Sequence, residues 1–208
     1  STAVFIGIVA KKGFAKPFIA ALSVVIGAIL CFFGIFVFHI AHITVLVFGV
    51  MVIFGLGTGG VYYIPWTAYT FMADVDEVLT NRRREGVYAG AMTMAGKLMR
   101  ASIVFILGQV LAAFGFVSGA STQPQSAVNA IAGVLLVGVG GLAIIGIIFS
   151  CRMKLNHKTH KIVIDELERV HAGGRKEDVS EETRNVIEKL TGISYDKCFG
   201  NNNIGYKE

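Results

Sequence analysis

The chain has 208 residues, of which 54% are hydrophobic, 16% are charged and 25 are glycine, and it carries a net charge of +5. Soluble domains carry about 25% charged residues and about 7% glycine, so this composition, with its 15 Phe, excludes both a soluble globular domain and a disordered chain. No Asp, Glu, Lys or Arg occurs from Pro17 through Ala73, nor from Ala101 through Cys151; uncharged apolar runs of that length read as membrane spans, because a hydrocarbon core about 30 Å thick takes about 20 helical residues to cross.

The opening residues, Ser1 to Ala10, are apolar and are followed by Lys11 and Lys12. Without a basic leading segment or a cleavage site they are no secretory signal. They read as the last turns of a membrane helix that begins upstream, which makes a fragment the expectation. Four spans follow, at about 15–38, 43–67, 86–116 and 129–151, with Pro17 in the first turn of the first, where a missing N–H costs nothing. A tight uncharged turn, His39 to His42, joins the first two. A polar loop from Ala73 to Glu85 precedes the third, and a loop from Val117 to Val128 precedes the fourth. Residues 1–151 therefore form a membrane domain (a stub at 1–10 and four spans), and 152–208 a polar tail. The expected class is all-α transmembrane.

The tail patterning predicts two amphipathic helices. Val163, Ile164, Leu167 and Val170 share one stripe, with Asp165, Glu166, Glu168 and Arg169 off it. A second helix starts at Ser180 as N-cap, with Val186, Ile187 and Leu190 on one face. Such a tail is expected to pack on the ends of the bundle, with Gly200 to Asn203 loose.

Basic residues orient the chain. Lys11, Lys12 and Lys16 precede the first span, Arg82 to Arg84 lie between the second and third, and Arg152, Lys154, Lys158 and Lys161 follow the fourth. The two remaining loops hold no Lys or Arg, so the positive-inside rule places every basic loop, and the tail, in the cytoplasm of a cell that holds the protein in its plasma (inner) membrane. These flanking charges are no nucleic-acid footprint. The three cysteines, Cys31, Cys151 and Cys198, form neither a disulfide framework nor a metal motif. Gly55 with Gly59 and Gly86 with Gly90 match the small-residue spacing of close helix contacts in lipid.

Lys97 and Arg100 stand apart, inside the third span. Lys97 lies 11 residues past Gly86, about 16 Å along a helix and near mid-bilayer, where a charge costs at least about 2.5–3.5 kcal/mol. Its counterpart is either a substrate or an acid on helices outside the chain; the alternatives are a snorkelling side chain or a fixed ion pair. Asp74, Asp76 and Glu77 face Arg82, Arg83 and Arg84 across a short loop, either as solvated charges or as a latch that breaks as helix ends move. Tyr62, Tyr63, Trp66 and Tyr69 read as an interfacial aromatic belt or, with Trp66 foremost, as a stacking surface for a sugar ring.

The stretch Pro65-Trp66, Ala73-Asp74-Val75-Asp76-Glu77, Arg83-Arg84-Glu85-Gly86 and Lys97-Leu98, with Arg152 to Asn156 opening the tail, resembles the glycoside–pentoside–hexuronide:cation symporters, the melibiose-permease-like branch of the major facilitator superfamily. The resemblance covers roughly 55–171. It implies a partial major facilitator bundle, the end of helix eight and helices nine to twelve, with a cytoplasmic helical tail. It places Lys97 on the eleventh-helix lysine beside the sugar and cation sites, with Thr93 matching nearby; Met92 stands where those members carry a sugar-contacting Gln. The cation-binding acids of the family are on amino-terminal helices, which this chain lacks.

The expected function is therefore secondary active transport: symport of a glycoside or related sugar with Na⁺, H⁺ or Li⁺ by alternating access. Thr93, Lys97, Arg100, Trp66 and Tyr62 would attend substrate and coupling, and Asp74, Asp76, Glu77, Arg83, Arg84 and Glu85 the cytoplasmic gate. Partners are the sugar, the bilayer and the missing helices of the same protein; beyond the coupling cation no cofactor or bound metal is expected. The alternatives are transport of a lysolipid-like or other anionic solute, and a non-transporting four-span scaffold or subunit. No nucleophile elbow, metal cluster or phosphate loop suggests an enzyme.

Overall fold

The computed structural model describes residues 2–37 and 43–201. Among them every regular element is helical, as expected. In chain order they are α1 (Thr2–Lys12), α2 (Ala15–Val37), α3 (Ile43–Thr80), α4 (Glu85–Ala113), α5 (Gln125–Gly133) continued through a π-helical stretch (Val134–Val139) into α6 (Gly140–Cys151), α7 (His157–His171) and α8 (Glu181–Thr191). Four stretches are long and apolar enough to span a bilayer: Ala15–Ile35, Thr44–Thr80, Glu85–Ala113 and Gln125–Cys151. The expected turn at His39–His42, and the tail beyond Asn201, lie outside the described residues.

The second span departs most from expectation. The polar segment from Ala73 to Thr80 is not a loop but the last two turns of α3, a helix of 38 residues. At 1.5 Å per residue it is about 57 Å long, nearly twice the apolar thickness of a bilayer, so its charged end stands clear of the hydrocarbon. Packing overrides polar composition there: Val78 is buried and Val75 and Leu79 lie against the tail core. Asn81, at φ +56, stops the helix in the left-handed conformation that Asn tolerates. The fourth span likewise starts earlier than expected, at Gln125 after Pro124, and the third ends at Ala113.

α2 lies along α3 and α6. The glycines seen to permit this are Gly57 and Gly60: a Cβ on Gly60 would stand 2.6 Å from Phe5 and 2.8 Å from the Ala21 Cβ, and one on Gly57 2.9 Å from Val25 and 3.0 Å from the Ala21 carbonyl oxygen. Gly55, Gly86 and Gly90 face nothing within 4 Å. The spacing motif was present in the sequence, but helix rotation chose another face. Gly60→Val should therefore lower stability by about 1–3 kcal/mol, the usual cost of overpacking; an unchanged unfolding midpoint in detergent would mean that α2 and α3 separate without penalty.

Next to this contact Val9, Phe14, Ile64 and Ala68 form a buried cluster with Phe5, Phe71 and Met153 against it. Gly13, at φ +74, turns the chain between α1 and α2 and brings it against Asn156, whose Cβ would be 3.1 Å from a Cβ there. A side chain would strain both backbone and contact. α4 differs from the other spans: none of its residues is buried. It is tied at its ends, through Arg84 to Asp76 on α3 and through a hydrogen bond from Ser126 Oγ to the Phe114 carbonyl just past α4, 2.8 Å long.

The tail forms the second core. Val163 and Leu167 of α7, Ile187 of α8, then Tyr195, Cys198 and Phe199, close over Val78 of α3. Asn156 and Thr159 make a reciprocal capping box at the start of α7, and Ser180 caps α8 as predicted. The Phe199 N–H donates to the Val78 carbonyl and the Gly200 N–H to that of Leu79 (3.1 Å). Gly200, expected to be loose, is thus bonded to the end of α3.

Candidate functional site

The chemistry-bearing residues gather in two places. The first is the charged foot of α3. Arg84, at the N-cap of α4, grips Asp76 with both ends of its guanidinium, Nε to Oδ2 at 2.8 Å and Nη2 to Oδ1 at 2.6 Å. Asp76 is 4% exposed and Arg84 28%. Two parallel charge-assisted hydrogen bonds fix geometry as well as energy, and the bond to Asp76 raises the guanidinium pKa above its ordinary value. The Arg83–Glu85 pair, 2.6 Å apart, is exposed on both sides and contributes little.

The other two acids turn elsewhere. His160 of α7 places Nε2 2.7 Å from Asp74 Oδ2, with its ring stacked on Phe71 at 3.7 Å between centroids. His171, three helical turns along, stands 3.6 Å from Glu77. The acids were expected to face the arginine run; Asp76 does so, whereas Asp74 and Glu77 face the tail. Asp74 and Glu77 are three residues apart on α3, and His160 and His171 eleven apart on α7, so each pair lies on one helical face. The rise between them differs, about 4.5 Å on α3 against about 16.5 Å on α7, so the sequence spacing carried no signal for this pairing.

Beneath this contact lies a group the sequence reading missed. Glu166 is 5% exposed, although its place off the apolar stripe suggested solvent. It accepts from Arg169 Nε and Nη2 at 2.8 and 2.7 Å, and from the Tyr195 hydroxyl. Burial pushes the Glu166 carboxyl upward, but the hydrogen bonds from Arg169 and Tyr195 outweigh it and hold the group below the usual range. Burial first, then Glu166, raises the Tyr195 phenol well above its ordinary value. A tyrosine in a polar tail, with Glu and Arg three residues apart on the preceding helix, was the only hint.

The second place is the pair of faces deep in the spans. Thr93, Lys97 and Arg100 fall at i, i+4 and i+7 on α4, one side of the helix, and all three are exposed. Tyr62, Trp66 and Tyr69 repeat that spacing on α3; Tyr62 and Trp66 are exposed, and Trp66 meets Tyr69 edge to face at 5.4 Å. The two stripes do not touch among the described residues. Between α3 and α6, with Met92 of α4 at its edge, opens a cavity of about 480 Å³ walled by Ile64, Pro65, Ala68, Tyr69 and Phe149 among others. None of Thr93, Lys97, Arg100, Tyr62 or Trp66 lines it, and its wall is apolar. No cluster of metal-ligating side chains occurs among the described residues.

Removing Arg84 would leave the Asp76 carboxylate buried without its fork. Arg84→Gln should cost about 1–3 kcal/mol, the desolvation of an unpaired buried acceptor, and the exchanged pair Asp76→Arg with Arg84→Asp should recover part of it. Unfolding midpoints of the wild type and the two variants check this; equal midpoints would reduce the fork to a surface contact.

The family described as MFS/sugar transport protein matches residues 1–157 of the chain. An uncharacterized symporter of Synechocystis sp. is 34% identical over 70 residues, which are 34% of this chain and 13% of that protein's length. The chain thus matches about an eighth of that relative. No solved structure matches.

Proposed function

Because this chain belongs to the MFS/sugar transport family, and so to multi-pass membrane transporters rather than enzymes, we propose that it is the carboxy-terminal part of a cation-coupled symporter of the melibiose-permease-like branch, carrying a glycoside or related sugar. The observation that carries the proposal is the polar stripe Thr93–Lys97–Arg100 on an otherwise apolar span. No hydrogen bond or ion pair of Lys97 or Arg100 occurs among the described residues, and a charge at that depth needs a partner or water. The aromatic stripe of α3 offers ring faces of the kind that sugars stack on. In this proposal the Na⁺, H⁺ or Li⁺ site lies mostly on helices outside the chain. The Asp74–Arg84 region closes the cytoplasmic side, and the protein sits in the plasma (inner) membrane with its tail in the cytoplasm.

The apolar wall of the cavity between α3 and α6 favours one second reading, an anionic amphiphile such as a lysolipid as cargo. Proteoliposomes carrying the full-length protein separate the two. With an imposed Na⁺, Li⁺ or H⁺ gradient, labelled glycoside should accumulate and unlabelled sugar should compete for it. Competition by lysophosphatidylglycerol alone would replace the sugar reading, and no accumulation of either would leave the non-transporting scaffold as the better account.

A further inference from the structure

A second cavity, of about 430 Å³, opens at the foot of α3. Its rim carries Arg152 and Lys154 from the α6–α7 connection and Lys189 from α8. All three are exposed, and none makes a salt bridge among the described residues. The one acid in its wall, Asp76, is already neutralised by the Arg84 fork. The opposite wall is apolar, with Met72, Val75 and Leu79 of α3. Three cations with no ion-pair partner among the described residues therefore look across a pocket at hydrocarbon.

The position of this pocket narrows what it can hold. Arg152 directly follows Cys151, the last residue of the final span, so the basic rim lies at the membrane–water boundary. The pocket shares Met72, Arg152 and Met153 with the apolar cavity of about 480 Å³ that reaches up between the spans. A basic mouth thus adjoins a hydrocarbon-lined chamber running into the bilayer. A sugar or a soluble anion would use the mouth and leave the chamber unfilled. A charged headgroup on an acyl chain fills both, and its phosphate draws about 1 kcal/mol from each Lys or Arg near the surface.

We propose that this pair of cavities is a binding site for one anionic phospholipid, its headgroup held by Arg152, Lys154 and Lys189 and one acyl chain lying against Met72 and the wall beyond. The lipid is resident, not cargo, so the proposal stands beside the sugar reading and takes the place of the lysolipid one, which uses the same apolar cavity. Because Arg152 and Lys154 follow a span whereas Lys189 belongs to the tail, the bound headgroup ties the tail to the bilayer surface.

The test uses the full-length protein in detergent micelles doped with palmitoyl-oleoyl phosphatidylglycerol or with the corresponding phosphatidylcholine, with bound lipid counted by native mass spectrometry. One phosphatidylglycerol should be retained in preference to phosphatidylcholine. Lys189→Gln, on the tail and away from the spans, should weaken retention about fivefold, and Arg152→Gln/Lys154→Gln/Lys189→Gln about a hundredfold. Met72→Trp, which fills the shared wall without changing charge, should also reduce retention. Equal retention of the two lipids overturns the proposal. So does full retention by Lys189→Gln and the triple variant together. Displacement of phosphatidylglycerol by millimolar inorganic phosphate would reassign the mouth to a free anion. The wild-type lipid comparison and Lys189→Gln decide the matter even if the triple variant fails to insert.

Discussion

Lys97→Ala is expected to abolish gradient-driven uptake by the full-length protein, by about a hundredfold or more, while membrane insertion stays at the wild-type level. Lys97 sits near the middle of α4, a 29-residue helix none of whose residues is buried. Holding an ammonium at that depth costs at least about 2.5–3.5 kcal/mol, so alanine should make the span easier, not harder, to insert. A loss of transport with insertion preserved can then only come from a lost interaction with substrate or coupling ion. Lys97→Arg keeps the charge but widens the group and changes its donor geometry; partial uptake with altered cation dependence is expected. Direct measurement of labelled-sugar accumulation, beside surface-labelled protein, gives both numbers. Uptake by Lys97→Ala at the wild-type rate would remove Lys97 from the transport machinery and leave it a snorkelling side chain.

The second large effect lies in the tail. Glu166→Ala should destabilise the α7–α8 unit by about 3 kcal/mol, the low end of the cost of removing one partner from a buried pair, because Arg169 is 31% exposed and keeps part of its solvation. The Tyr195 hydroxyl, buried at the centre of the tail core, would lose its acceptor as well. Tyr195→Phe, which removes only the donor, should cost about 1 kcal/mol. Hydrogen exchange of the α7 and α8 amides, or trypsin cleavage after Arg175 or Lys176, reads the effect. Unchanged protection in Glu166→Ala would mean that the apolar contacts alone hold the tail.

The same group sets a pH window. The folded Glu166 carboxyl is held below its ordinary value, so its contribution is fully present above the unfolded carboxylate pKa of about 4.3 and is lost as pH falls through the lower folded value. Tyr195 works in the opposite sense. Its folded pKa is raised, so its contribution is present below the ordinary phenol pKa of about 10 and disappears as pH rises through the raised one. Exchange protection of α7 should therefore be flat at neutral pH and fall at both extremes, and Tyr195→Phe should remove the alkaline limb and shrink the acid one, because Glu166 then loses one of the hydrogen bonds that hold it low. Persistence of the alkaline limb in Tyr195→Phe would assign it to another group.

These two variants also separate what was legible in the chain from what was not. Lys97 stood out without coordinates because a charge inside an uncharged apolar run violates a rule that depends only on composition and length. The spans, the amphipathic tail helices and the Ser180 cap follow from the same kind of local rule: hydropathy sets what can cross a bilayer, and side-chain period sets which face of a helix is apolar. Contacts between distant segments obey no such rule. Asp74 and Glu77 looked toward the nearest cations in sequence, but the rotation of α3 aims them at His160 and His171, more than eighty residues away. The polar turns from Ala73 to Thr80 are helical because Val75, Val78 and Leu79 have the tail to pack against. Glu166 is buried because Arg169 and Tyr195 satisfy it there. Gly57 and Gly60 meet α2 while Gly55, Gly86 and Gly90 face nothing within 4 Å, since the phase of a helix against its neighbour is set by the fit of whole surfaces. Local pattern thus settles which segments are helices and which medium they sit in, while pairing, rotation and the burial of polar groups are settled by the assembled helices, whose complementary surfaces no single segment encodes.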